Sequence, residues 1–145
     1  GLICSLINAN NGNVYAGIFE IVQSQTVKSK LSFLSLKDSN GNISLNSLKT
    51  FIESDDELFN KYSSISFVGD GAILYKELFK QLIFKKTYTI EVCEENISTG
   101  ISIGKIGYTN YKNGNYGDSS FLSPIYLRKS QAELALEEKN GIKND

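Results

Sequence analysis

Residues 65–82 carry the stretch that decides the fold class, ISFVGDGAILYKELFKQL. Its first four residues form a short apolar run of the kind that predicts a buried strand. Gly69, Asp70 and Gly71 then end the strand, and leucines recur downstream at helical spacing, at positions 74, 78 and 82. A strand, a glycine turn and a helix in this order are typical of an α/β unit.

Three further β-prone runs precede this unit. The runs at residues 2–8 and 14–22 are joined by the polar cluster NNGN at residues 10–13, which predicts a hairpin because Asn and Gly accept positive φ. The run at residues 27–36 alternates apolar with polar side chains and stops before the turn DSNG at residues 38–41. We therefore expect three consecutive antiparallel strands.

Helical spacing returns on both sides of the deciding stretch. Residues 45–52 predict a short amphipathic helix capped by Ser44, and an acidic loop is expected around Asp55 and Asp56. Downstream, residues 87–92 predict a fifth strand. These features place one helix before the deciding stretch and one strand after it.

The last third of the chain is more ambiguous. Residues 97–111 have helical spacing but contain three glycines, each of which costs a helix about 1 kcal/mol relative to Ala. They predict either a helix whose glycines pack closely on the sheet or a loop. Ser130 and Glu133 then form a capping box that predicts a last short helix, and we expect residues 137–145 to fray.

The predicted order is three antiparallel strands followed by helix, strand, helix, strand and helix. This is the layout of an α/β domain of the ribonuclease-H-like (actin-like ATPase) class. We expect a five-stranded mixed sheet in the order 3-2-1-4-5, with three antiparallel strands and flanking helices. Fold class alone does not define a function.

Composition narrows the classes of function. The 145 residues are 41% hydrophobic with a single Pro, which excludes a disordered chain and suits one packed core. Fifteen basic and sixteen acidic residues leave a net charge of −1, so we expect no direct nucleic-acid partner. No apolar run approaches the roughly 20 residues that cross a bilayer. We therefore expect no membrane contact and a cytoplasmic location.

Missing residue types limit the chemistry further. The chain has no His, which excludes a Ser-His-Asp triad, a His-paired Cys nucleophile and an HExxH zinc site. Cys4 and Cys93 stand far apart without a CxxC motif, and we expect both to be small buried apolar residues. The acidic runs at residues 55–57 and 94–95 are expected to be solvated loop ends. We therefore predict no catalytic residue, no metal ligand and no cofactor.

Three segments together carry a resemblance to a known family. They read INANNGNVYAG at residues 7–17, FVGDGA at residues 67–72 and SPIYLR at residues 123–128. The chain resembles the C-terminal half of the TsaB (YeaZ-type) family, whose patterns are Asp-Ala-Arg-x-x-Glu-Val-Tyr, Gly-Asp-Gly-Ala and Pro-x-Tyr-Leu-Arg. Asn8, Asn10 and Asn13 stand where the family has Asp, Arg and Glu, so any ion pair across that hairpin is lost.

The resemblance implies a function as well as a domain plan. Residues 1–145 would be one ribonuclease-H-like C-terminal domain, either excised or a natural half, and residues 129–145 its C-terminal helix and fraying tail. The domain would be a non-catalytic partner of a TsaD-type ATPase, which transfers a threonylcarbamoyl group to an adenosine of tRNA. Implied partners are that TsaD-type paralogue, the associated ATPase subunit and the domain's own N-terminal domain. Two alternatives stay open, a nucleotide-binding enzyme domain and an interaction domain of unrelated function.

Two groups of residues are candidate sites. Gly69, Asp70 and Gly71 either present backbone N–H groups to a phosphate, as a degenerate nucleotide loop, or form a tight turn with Asp70 as the helix N-cap. Tyr126 and Arg128 follow Pro124 in a segment that we expect to be extended rather than helical. They either face a missing first domain or partner subunit, or form a clamp with Tyr126 buried and Arg128 bonded to a carboxylate of its own domain.

Overall fold

Five strands form one mixed sheet in the computed structural model, which describes residues 1–22, 25–94, 99–121 and 123–139. The sheet order is β3-β2-β1-β4-β5, as predicted. Antiparallel pairing joins β1 to β2 and β2 to β3, whereas β1 pairs parallel with β4 and β4 with β5. The strands are β1 (Leu2–Asn8), β2 (Asn13–Val22), β3 (Gln25–Ser35), β4 (Ser64–Val68) and β5 (Thr89–Cys93).

Helices fill the connections after β3. The described residues form α1 (Asn46–Glu53), α2 (Asp56–Lys61), α3 (Asp70–Leu74), α4 (Lys76–Phe79), α5 (Gly100–Lys112) and α6 (Gln131–Lys139), with a 3-10 turn at Ser119–Phe121. This agrees with the predicted α/β class, with a mixed sheet and flanking helices.

The core lies on one face of the sheet, which we call the inner face. Alternate residues of β1, β2 and β4 point to it, because side chains alternate between the faces of a strand. Leu6, Ile18 and Phe67 are completely buried there, and the helices contribute Leu48, Ile52 and Phe79 to the same cluster. The rings of Phe67 and Phe79 lie 4.2 Å apart between centroids. Strand and helix apolar residues thus form one continuous core.

The acidic segment after α1 is a helix, which corrects the predicted loop. The Asp55 carboxylate accepts a hydrogen bond of 3.0 Å from the backbone N–H of Leu58, which caps α2. Asp56 and Glu57 then occupy the first turn, where negative charge stabilises a helix. The cap expected from Ser44 is found in part, because its Oγ accepts a hydrogen bond of 3.3 Å from the backbone N–H of Asn46, the first residue of α1. The N-cap position itself belongs to Leu45, which makes no side-chain cap bond.

The helix predicted at positions 74, 78 and 82 is interrupted. α3 ends before Tyr75 and α4 begins after it, so the leucines do not share one continuous stripe. Leu74 is 56% exposed, whereas Leu78 and Leu82 are partly buried against the core. The buried positions are instead Ala72 and Phe79. A regular leucine spacing predicted one helix where the chain forms two short ones.

The glycine-containing segment is helical but does not pack as expected. Every residue of α5 is exposed, and a Cβ added at Gly100, Gly104 or Gly107 meets nothing within 4 Å. The predicted close packing of these glycines on the sheet is therefore wrong. Residues 97 and 98, where we expected the helix to begin, lie outside the described residues.

The capping box predicted at the last helix is confirmed. The backbone N–H of Glu133 donates to Ser130 Oγ at 3.2 Å, and the backbone N–H of Ser130 donates to the Glu133 carboxylate at 2.7 Å. Hydrogen bonds to the Glu133 carboxylate from the Ser130 hydroxyl and from the Ser130 backbone N–H lower the pKa of Glu133. α6 continues to Lys139, and residues 140–145, which we expect to fray, lie outside the described residues.

Candidate interaction site

The glycine turn lies directly against the central strand. Gly69 has φ +99°, and a Cβ there would lie 2.4 Å from the carbonyl oxygen of Leu6. At Gly71 the same oxygen would be 3.0 Å away. Gly69 also has a backbone conformation that other residues rarely adopt. Glycine is therefore required at position 69 by conformation and by space, whereas a side chain at position 71 would need β1 to shift by a few tenths of an ångström.

Asp70 connects this turn to the end of β1. Its Oδ1 accepts hydrogen bonds from the backbone N–H of Asn8 at 3.0 Å and from that of Gly71 at 2.9 Å. The N-cap of α3 is Gly69, which corrects the expectation that Asp70 caps the helix. The hydrogen bonds from these two backbone N–H groups thus give Asp70 a structural role.

The nucleotide-loop hypothesis for Gly69, Asp70 and Gly71 stays a prediction. The structure brings the three residues together at the carboxyl end of β4, but α3 has only five residues. The bonded carboxylate of Asp70 lies at the start of this helix, and a negative charge there repels phosphate.

The β1–β2 hairpin adjoins the same end of the sheet. Asn10, Asn11 and Gly12 all have positive φ, as the Asn-Gly signal predicted. Asn8 fixes the turn from within, because its side-chain oxygen accepts a bond of 2.9 Å from the N–H of Asn10. Asn13 adds a further bond, because its side-chain amide donates to the carbonyl oxygen of Asn10 at 3.0 Å, so these asparagines stabilise the turn.

The opposite face of the sheet, which we call the outer face, holds a groove. Strands β1 to β3 form its floor, and residues 125–128 form one side. This outer groove has a volume of about 370 Å³, within the range of ligand and partner sites. Its lining is mainly apolar and includes Ile7, Tyr15, Phe19, Leu31 and Ile125. Several of these side chains are well exposed, with Ile7 at 49% and Tyr15 at 37%.

Arg128 lies beside the outer groove and contacts the sheet through an aromatic ring. Its guanidinium carbon is 5.1 Å from the centroid of the Phe33 ring. Phe33 is supported in turn by Tyr15, with ring centroids 5.3 Å apart. None of the ion pairs within the described ranges involves Arg128. The predicted bond between Arg128 and a carboxylate of its own domain is therefore not found there.

The exposure of Tyr126 distinguishes the two alternatives for the segment after Pro124, a partner-facing surface and a clamp within the domain. Its side chain is 83% exposed, so the clamp with a buried Tyr126 is wrong. Residues 123–128 form neither helix nor strand, which agrees with the non-helical expectation. In extended chain Ile125 and Leu127 should point one way and Tyr126 and Arg128 the other. This alternation is only partly found, since Leu127 is half-buried while Ile125 is 74% exposed. The assignment of Tyr126 and Arg128 to a partner surface stays a prediction.

Sequence reasoning missed the floor of the outer groove. Tyr15 and Phe33 are opposite each other in the β2–β3 ladder, and Ile7 is opposite Tyr15 in the β1–β2 ladder. A signal was present in β2, where apolar side chains occur on both faces rather than one. Apolar side chains on both faces of a strand predict that its second face also makes contacts, but they do not identify the residues that it contacts.

The cysteines and carboxylates of the described residues show no reactive arrangement. Burial raises the pKa of the Cys4 thiol, which suits an inert core residue. Cys93 is half-buried rather than buried, contrary to expectation. Glu94 directly follows β5 and is exposed, as expected of a solvated loop end, and it pairs with Lys76 at 3.1 Å; Glu95 lies outside the described residues. Throughout those ranges no three Cys, Asp or Glu side chains are grouped so as to hold a metal ion.

Within residues 1–22, 25–94, 99–121 and 123–139, no helix has the length and apolar character needed to cross a membrane.

Solved structures share this fold. No protein-family profile and no curated protein matches the chain. The chain is similar to a crystal structure of an uncharacterized protein with similarity to peptidase YeaZ from Pseudomonas aeruginosa, at 12% identity and a TM-score of 0.53. It is also similar to YeaZ from Pseudomonas aeruginosa, at 11% identity and a TM-score of 0.51. These alignments cover 88% and 86% of the chain, respectively.

The comparison defines the fold class and its limits. The chain has an α/β fold of the YeaZ type, that is, a TsaB-like fold. It spans about half the length of these two structures, with 49% of each covered. At this level of identity the likeness concerns the fold alone.

Proposed function

We propose that the chain is a non-catalytic partner domain that supports a TsaD-type enzyme in the threonylcarbamoyl modification of tRNA in the cytoplasm. The TsaB-like fold supports this proposal. The family-like segments at residues 7–17, 67–72 and 123–128 support it from the sequence. A chain without His also lacks the usual general base of hydrolases and proteases.

One observation carries the proposal, namely the exposed apolar surface of the outer groove. Ile7, Leu31 and Ile125 line it, and Tyr126 projects beside it with 83% of its side chain exposed. Contiguous apolar surface of this kind typically marks sites of protein interaction. Aromatic residues and Arg are also the types enriched at such interfaces. The outer groove is therefore a better candidate for partner binding than for catalysis.

The partners in this proposal are proteins. They are the TsaD-type paralogue, the associated ATPase subunit of the same pathway and an N-terminal domain of the same protein. Tyr126 and Arg128 form the contact surface, and neither nucleic acid nor membrane is bound directly. The net charge of −1 agrees with this choice, because nucleic-acid binding depends on a strong positive charge.

The nucleotide-binding alternative receives less support. It depends on Gly69, Asp70 and Gly71, whose conformation is accounted for by their contacts with Leu6 and Asn8. A measurement of ATP hydrolysis by the purified chain separates the two functions. The proposal expects no turnover above the buffer blank, whereas turnover that is lost in Asp70→Ala would favour the alternative.

The experiment that tests the proposed function measures the modification itself. Depletion of the protein in its own organism is expected to lower the threonylcarbamoyladenosine content of total tRNA, measured by mass spectrometry of nucleosides. Re-expression of the wild-type protein is the control and should restore the content. An unchanged content after complete depletion would contradict the proposal.

A further inference from the structure

We propose that the outer groove binds a segment of the TsaD-type partner in which an acidic side chain stands beside apolar ones, with Arg128 binding the carboxylate. This inference rests on the proposed function, because it describes the chemistry of the partner surface that Tyr126 and Arg128 face.

Charge in the groove supports the acidic part of the inference. Among the described residues that line it, Arg128 is the single charged side chain. The ion pairs of the described ranges use Lys61, Lys76 and Lys80, and leave Arg128 without a carboxylate. An unpaired guanidinium beside an apolar surface attracts an anion more strongly than one in open water, because the local dielectric constant is lower. A carboxylate is thus the complementary group.

The position of Arg128 on Phe33 leaves its hydrogen-bonding groups available. The guanidinium lies over the ring at 5.1 Å from the centroid, which uses its positive charge against the ring face. The five N–H donors of Arg lie in the guanidinium plane and form a fork that matches a carboxylate. Because Phe33 packs on Tyr15 at 5.3 Å, the ring that supports Arg128 is itself held in place.

The apolar part of the inference comes from the two halves of the outer face. Over β1 to β3 this face presents Ile7, Tyr15 and Leu31. Over β4 and β5 most positions of this face are polar, as where Ser66 donates a hydrogen bond to Glu91, and the apolar Val68 and Cys93 are half-buried. The well-exposed apolar side chains of the sheet therefore lie on β1 to β3. A partner segment gains most by placing its apolar side chains there and its acid at Arg128, at the edge of the patch.

A crosslinking experiment identifies the segment. In the full-length protein, Tyr126 is replaced by the photoreactive residue p-benzoylphenylalanine, and the TsaD-type paralogue of the same organism is added before irradiation. Mass spectrometry is expected to find a paralogue peptide with Asp or Glu within about four residues of an Ile, Leu, Phe or Tyr. A crosslink to a paralogue segment without an acid, or to a second copy of this chain, would overturn the inference.

Charge reversal then tests the contact itself. Arg128→Glu is expected to weaken the affinity for the paralogue at least tenfold, and Arg128→Lys less, because Lys keeps the charge without the fork. Lys105→Glu makes the same change of charge on exposed α5 and is expected to alter the affinity by less than twofold. Reversing the crosslinked acid to Lys in the paralogue should restore binding to Arg128→Glu.

The outcomes separate this inference from the proposed function. If the wild-type full-length protein and the paralogue do not associate, the proposed function fails and this inference fails with it. If they associate and Arg128→Glu binds as tightly as the wild type, only the inference about Arg128 is wrong.

Discussion

Residues 1–94 and residues 99–139 place their apolar side chains in opposite environments. In the first region, which we call the sheet body, Leu6, Ile18 and Phe67 are completely buried between the strands and the helices. In the second, the C-terminal region, the side chains described are exposed, apart from the half-buried Leu127 and Leu134. In helix α5, for example, Ile101, Ile103 and Ile106 are each at least 62% exposed.

This difference shows that apolar content and helical spacing do not by themselves define a core. α5 has isoleucines and tyrosines in a regular helix, yet none of them is buried. The sheet body obtains its burial from pairing across strands, as where Cys4 of β1 lies beside Phe67 of β4. Stability should therefore reside in the sheet body, while the C-terminal region and the outer groove supply exposed surface for contacts.

Truncation of a large apolar side chain should give the largest contrast between the two regions. Phe67→Ala removes a buried ring that packs on Phe79, and we expect a loss of about 3–5 kcal/mol in the free energy of unfolding. Ile103→Ala, at a position 63% exposed, should change it by less than about 0.5 kcal/mol. Urea denaturation followed by circular dichroism measures both. Equal losses would mean that α5 is buried in solution.

The sequence predicted the sheet better than it predicted the helices. The alternation of apolar and polar residues and the Asn-Gly turn define the antiparallel strands locally. The strand–glycine–helix unit then indicates that the following strands pair in parallel, so the order 3-2-1-4-5 could be predicted. Helix α2 could not, because the same acidic residues suit a solvated loop or a first helical turn. The hydrogen bond by which Asp55 caps α2 favours the helix over the loop, and an amino-acid pattern does not show that bond. The exposure of α5 was not predicted for a related reason, since the spacing of its glycines does not show whether another element packs against the helix.

The same substitution of Gly by Ala should have opposite effects in the two regions. Gly69→Ala forces a positive φ on Ala and places Cβ 2.4 Å from the Leu6 carbonyl oxygen, so we expect a loss of about 2–4 kcal/mol. Gly104→Ala meets open space inside a helix and should stabilise α5 by up to about 1 kcal/mol.

Two measurements distinguish these effects. The urea midpoint of unfolding should fall for Gly69→Ala, and amide hydrogen exchange within α5 should slow for Gly104→Ala. Gly71→Val should also destabilise by more than about 1 kcal/mol, because its Cβ would lie 3.0 Å from the same carbonyl oxygen. Unchanged midpoints for both turn variants would show that the turn can move away from β1.

Loss of the capping box should have a smaller and local effect. Ser130→Ala removes the bond to the N–H of Glu133 and should cost α6 about 1 kcal/mol. Amide exchange in α6 is expected to accelerate while the unfolding midpoint of the sheet body stays unchanged. Ser123→Ala, outside any helix, is the control and should change neither the amide exchange of α6 nor the unfolding midpoint. A fall in the global midpoint would mean that α6 is part of the cooperative core.

The site could be predicted only in part. Tyr126 and Arg128 stand out in the sequence because they follow the only Pro and include the only Arg. The aromatic pair beneath Arg128 was missed, because Tyr15 and Phe33 become neighbours through the β2–β3 register, which also contains a shift between Ile18 and Phe19. Such a register depends on the folded sheet rather than on a local motif.

Loss of the Arg128 side chain should have only a small effect on stability, and the small size of the effect is itself informative. Arg128→Ala removes one exposed contact with Phe33, which is worth roughly 0.5–1 kcal/mol at most. The melting temperature of the chain should therefore fall by no more than about 4 °C, measured by differential scanning calorimetry. Phe33→Leu, a matched change on the sheet side of the same contact, should lower it further because Phe33 also packs on Tyr15. If Arg128→Ala instead lowers the melting temperature as much as a core truncation does, Arg128 holds residues 123–128 to the sheet, and its assignment to a partner surface loses its basis.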